Sequence, residues 1–109
     1  MDKYNIVILD TAISDIEEIA LYIRNELKNQ KAAEDLADKI FESIERIAQF
    51  PYANSVYVPI RPLKYEYRRA VIVNYLLFYR VNEEAKEVIV ARVIYGKRHL
   101  ERQIKGNET

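Results

Sequence analysis

The sequence predicts an α+β fold: a two-helix hairpin packed on one face of a four-stranded, mainly antiparallel sheet, in the order β-α-α-β-β-β. Three observations carry this expectation. A short stretch alternating at period two opens the chain, two apolar stripes at three-and-four spacing follow, and three segments rich in β-branched and aromatic residues close it. At 109 residues, half of them hydrophobic and only two glycine and three proline, the chain fits one domain spanning 1–109. Its apolar content is enough to offset the entropy of ordering.

The elements follow in order. "YNIVILD" sets Tyr4, Ile6 and Ile8 on one face and Asn5, Val7 and Leu9 on the other, a first strand over about Lys3–Leu9. Asp10 and Thr11 form a capping pair, and Ser14 with Glu17 fits a capping box as a second helix start. The first helix then carries Ile13, Ile16, Ile19, Ala20, Ile23 and Leu27 on one stripe. Asp15, Glu17, Glu18 and Arg24 lie off it, where solvated charges are the rule. "NELKNQK" breaks the pattern before a second stripe, Leu36, Ile40, Ile44 and Ile47, flanked by Ala33, Ala37, Phe41 and Ala48.

"FPYANSVYVPIRPLKYE" holds all three prolines and no helical period, so it reads as a surface connection tacked down by its tyrosines. Both alternating sets of Tyr67 to Val81 are largely apolar, which predicts two strands meeting at a turn or bulge at Asn74. "NEEAKE" is a polar turn and Val88–Tyr95 the last strand. Gly96 ends it, and 97–109 is a basic tail or short helix. With helices on one sheet face, the other face and its edge are expected to be open to a partner.

Composition excludes several function classes. No cysteine occurs, which removes disulfides, thiolate catalysis and cysteine zinc sites. There is no phosphate-binding glycine loop and no HExxH, so neither a cofactor nor a metal is expected. The single histidine, His99, has no serine in a nucleophile-elbow context. The apolar run at the start is broken by Asp10, too short for a signal peptide or a membrane span, so a cytoplasmic protein without membrane contact is expected.

The formal net charge of zero hides a division. Residues 1–50 hold six basic and eleven acidic side chains, and residues 51–109 hold eleven basic and six acidic. Such asymmetry suits one face for an anionic partner. Arg80 and Arg92 interrupt apolar strands, where a buried charge must be paired. Each has two readings, an internal pair with Glu66 or a helix carboxylate, or membership of a row of guanidiniums that grips phosphates or carboxylates. "GKRHLER" adds Lys97, Arg98 and His99, the last able to change charge near neutral pH.

Taken together, "AISDIEEIALYI", the exit "IAQFPY", "YRRAVIVNYLLFYRV" and "VIVARVIYGKRHLE" resemble, in their order and spacing, the RelE/ParE superfamily of bacterial toxins over about residues 3–101. The resemblance implies the toxin of a type II toxin-antitoxin system, tied to plasmid stabilisation and held inactive by a cognate antitoxin whose C-terminal segment wraps it. Its antitoxin contacts would fall on Arg68, Arg69, Arg80 and Arg92. The isoleucine-rich hairpin and the "YRR…FYRV" spacing look more like ParE, which implies DNA gyrase inhibition without catalytic residues. Lys97, Arg98 and His99 would then bind the target. The alternative is a RelE-like ribosome-dependent mRNA endonuclease, or mRNA interferase, acting on the ribosome and mRNA through Arg69, Lys97, Arg98 and His99. Members of that branch typically carry an arginine where this chain has Leu76, and often a C-terminal tyrosine, which does not follow Arg98 here.

Overall fold

The computed structural model describes residues 3–96, and the expected basic tail, including Lys97, Arg98 and His99, lies outside them. Strand β1 (Asn5–Ile8) passes directly into helix α1 (Asp10–Leu21), whose last turn widens into a π-helical turn over Tyr22–Glu26. Lys28 takes the left-handed conformation at φ 54° and reverses the chain. Asn29 then caps helix α2 (Gln30–Gln49), its side chain accepting the Ala32 N–H at 3.0 Å. After the connection come β2 (Arg68–Ile72), β3 (Tyr75–Asn82) and β4 (Glu87–Tyr95).

The sheet order is β1-β4-β3-β2, with β1 parallel to β4 and the other pairs antiparallel. The α+β architecture expected from the sequence is therefore the one observed. Period two along β3 and β4, shifted by one residue of β4 at a bulge, sends Leu77, Tyr79, Val88, Val90 and Val93 toward the hairpin, where they meet Ala12, Ile23, Ala33, Leu36, Ile40, Ile44 and Ile47. Helix α1 turns slightly from its expected stripe: Ala12 is fully buried while Ile13 stays exposed. The capping expectations at its start do not hold. Leu9 occupies the cap position and no side chain caps the helix. Thr11 instead donates its hydroxyl to the carbonyl of Ala91 at 2.8 Å, so it serves the sheet and not its own helix.

The face away from the helices is not open as expected. Tyr67, Phe78, Ala91 and Ile94 form a second buried cluster there, covered by Leu9, Leu76 and, from the connection, Tyr57 and Leu63. Tyr57 meets Phe78 edge-on at 5.2 Å between ring centroids. The connection also pairs with the outer edge of β2: Tyr57 donates to Tyr67 O at 2.8 Å and Arg69 N–H to Ser55 O at 3.1 Å. Where both faces of a strand are apolar, water must be excluded from both, and here a loop without regular structure does so.

Strands β2 and β3 are joined by a two-residue loop, Val73 and Asn74, between the paired Ile72 and Tyr75. The position of the turn is the expected one, but the left-handed residue is Val73, at φ 56°. A β-branched residue there carries backbone strain of about 1–3 kcal/mol. No helix among the described residues is long and apolar enough to cross a membrane.

Candidate partner-binding face

The four strand arginines meet four different environments. Arg92 lies opposite Phe78 on β4, beside a bulge between Phe78 and Tyr79 in the pairing of β3 with β4. Beyond Val90 the strand has outrun β1, and its free edge runs along α1. Asp15 fills that edge as a missing strand would. Its carboxylate accepts Arg92 Nε at 2.6 Å, Arg92 Nη2 at 2.8 Å and the Val93 N–H at 2.9 Å. With side chains only 15% and 12% exposed, Arg92 and Asp15 form a largely buried pair. Asp15 is thus not one of the solvated helix charges, and of the two readings of Arg92 the helix-carboxylate pair is the one found.

Arg80 stacks its guanidinium over the ring of Tyr65, 4.0 Å from the centroid, and so ties the connection to the sheet. Arg68 lies opposite Tyr79 and holds the exit from α2: Nη1 donates to Asn54 O at 2.6 Å, and the guanidinium faces the Tyr52 ring at 5.0 Å. Beside it the Tyr79 hydroxyl donates to Pro51 O at 2.7 Å, and burial pushes its pKa up. Arg69 differs from the other three. It sits opposite Phe78 on the face away from the helices, is exposed, and its guanidinium has no partner among the described residues. The sequence grouped these four cations, but three of them are held within the fold and Arg69 projects from it.

Around Arg69 the surface is aliphatic. Val71, exposed, pairs with the half-buried Leu76, which in turn covers the buried Ile94 in the next row of the sheet. Gly96 donates its N–H to Asn74 O at 3.0 Å, which ties the end of β4 to the β2–β3 turn. A Cβ at Gly96 would sit 3.3 Å from that carbonyl, a close approach that favours glycine.

A second cluster, at the opposite end of the sheet, had no single motif to reveal it. Glu83 accepts the Tyr4 hydroxyl at 2.8 Å, together with the Tyr52 hydroxyl and the Lys86 ammonium. Lys86 foremost, then the two phenols, holds the Glu83 carboxyl down to about 2, and Glu83 in turn pushes Tyr52 up to about 12. The clamp borders a groove of about 570 Å³ lined by Lys3, Tyr4, Phe50, Tyr52 and Lys86 among others. It joins the residues just before β1, the connection and the β3–β4 turn, which are far apart in sequence. Among the described residues no cluster of His, Cys, Asp or Glu could hold a metal ion.

A helical hairpin over one face of a mixed four-stranded sheet, with a cation and aliphatic side chains on the other, makes a small α+β domain. Residues 6–100 match the family described as ParE toxin of type II toxin-antitoxin system, parDE, and the chain belongs to that family. Among solved structures it is similar to the chromosomal ParDE system of Pseudomonas aeruginosa, at TM-score 0.68 and 16% identity, covering 85% of this chain and 96% of that one. The RelBE2 toxin-antitoxin complex of Mycobacterium tuberculosis follows at TM-score 0.58 and 18% identity, covering 86% and 99%. The archaeal RelE-RelB complex of Pyrococcus horikoshii gives TM-score 0.59 and 15% identity, covering 89% and 99%. No curated protein matches the chain by sequence.

Proposed function

We propose that this ParE-family toxin arrests growth by binding DNA gyrase in the cytoplasm, and that a cognate antitoxin neutralises it. The observation that carries the reading is the surface around Arg69. One unpaired guanidinium beside the exposed Val71 and the half-buried Leu76 is suited to a protein surface with an acid next to an apolar patch. Cleaving RNA would instead call for several converging groups around a developing phosphate charge. Membership of the ParE family supports the same choice. In this reading Lys97, Arg98 and His99 bind the target from the basic tail or short helix of 97–109.

The antitoxin segment lies across the sheet and the connection, its acids meeting Arg69 first and Arg68 and Arg80 at their exposed sides. Arg92 stays with Asp15. Partners of this kind order on binding, so a few apolar anchors dominate the affinity. The RelE-like reading is favoured only by similarity of fold to the RelBE complexes.

The test is to induce the chain and follow plasmid supercoiling, DNA breaks and messenger integrity together. Broken or relaxed DNA with intact messages is expected. Prompt cleavage of messages within codons, with DNA untouched, overturns the gyrase reading in favour of the mRNA interferase.

A further inference from the structure

The β2–β3 turn combines three features that packing within the chain does not explain. Val73 holds a left-handed backbone although two-residue hairpin loops favour glycine, asparagine or aspartate where φ is positive. Its side chain is 58% exposed, so burial within the chain offsets little of that strain. Val71, two residues earlier on the same edge strand, is 70% exposed. A strained residue that the core does not require points to a contact made outside the chain.

We infer that Val73 and Val71 form an aliphatic tip that inserts into an apolar pocket on an acidic protein surface, the target of this toxin. The inference rests on the reading of a protein target given above. Charge favours an acidic partner: neither Tyr67–Val81 nor Val88–Gly96 contains an acid, and the unpaired Arg69 shares strand β2 with Val71. Side-chain chemistry favours protein over RNA. Valine has no π face on which a base can stack, and Tyr95, the nearby ring, packs edge-on against Tyr75 at 5.7 Å between centroids.

Val73→Gly separates fold from function, because it relaxes the turn while deleting the side chain. Expected are a raised melting temperature, an affinity for purified DNA gyrase at least tenfold weaker, and relief of growth arrest. Val73→Ile, which keeps an aliphatic tip, should retain gyrase affinity within threefold, and Val71→Thr should lose about as much as Val73→Gly. Val73→Gly that folds, binds gyrase and arrests growth like the parent overturns the inference and leaves the gyrase reading standing. If the parent chain does not bind gyrase, that reading falls, and growth arrest decides the tip: relief by Val73→Gly supports it and full toxicity overturns it. Loss of binding to a single-stranded RNA oligonucleotide in Val73→Gly overturns the choice of a protein partner.

Discussion

Asp15 and Arg92, separated by 77 positions in sequence, form a two-point ion pair in which the same carboxylate also accepts the Val93 backbone N–H. A helix side chain thereby closes the edge of β4 where β1 ends. Removing one partner leaves a poorly solvated charge and an unsatisfied strand N–H, with an expected loss of about 3–5 kcal/mol. Asp15→Ala should therefore lower the urea midpoint sharply, whereas Asp15→Ala with Arg92→Met should recover part of the loss. A double-mutant cycle by urea unfolding measures the coupling. Additive losses would show the pair to be incidental.

Phe78 is fully buried on the sheet face that the helices do not cover. Phe78→Ala should destabilise by about 3–5 kcal/mol, as for a core aromatic. If that face were open, the change would stay within about 0.5 kcal/mol. Equilibrium unfolding distinguishes the two, and proteolysis of the connection should accelerate in the variant because Tyr57 loses its ring partner.

The Glu83 clamp makes a pH prediction with a definite sign. Its carboxyl is held near 2 against an ordinary value of 4.5, so the clamp stabilises the fold above about pH 4.5 and is lost as pH falls toward about 2. On the alkaline side Tyr52, raised to about 12, keeps its proton beyond the usual tyrosine range. Glu83→Gln should flatten the acid limb of the stability profile by lowering stability above about pH 4.5, modestly because the group is exposed, and should converge with the parent near pH 2. Acid unfolding followed by circular dichroism on both proteins checks this, and superimposable acid limbs would remove Glu83 from the account.

Arg69 has no internal partner among the described residues and should be separable from stability. Arg69→Ala is expected to shift unfolding free energy by no more than about 0.5 kcal/mol. It should slow antitoxin association and reduce the dependence of that rate on salt, because surface charge mainly steers encounter. Stopped-flow association at several ionic strengths reads both effects. An association rate indifferent to the substitution and to salt would argue against an electrostatic contact at this residue.

Changing both Lys97 and Arg98 to alanine is expected to relieve growth arrest while leaving the melting temperature within a few degrees of the parent. Growth curves and thermal melts on the same variant check it. If the double variant remains fully toxic, the target contact lies on other residues of the chain.

The sequence alone determined the element order, the class of fold and the position of most strands and turns. Those features depend on local periodicity: Leu36, Ile40, Ile44 and Ile47 can share a helix face only at helical spacing, and Asn74 marks the break between two apolar strands. Tertiary structure decided which charges are available. Asp15 and Glu17 look alike along α1, but only Asp15 meets the edge that β4 exposes beyond β1, a consequence of strand lengths and parallel register. Arg68, Arg69, Arg80 and Arg92 look equivalent as cations among apolar residues. Their fates diverge with the surroundings that folding brings to each: backbone carbonyls of the α2 exit, water, the Tyr65 ring and the Asp15 carboxylate. Ion pairing and stacking act over a few ångströms between groups tens of residues apart, so linear spacing carries no record of them.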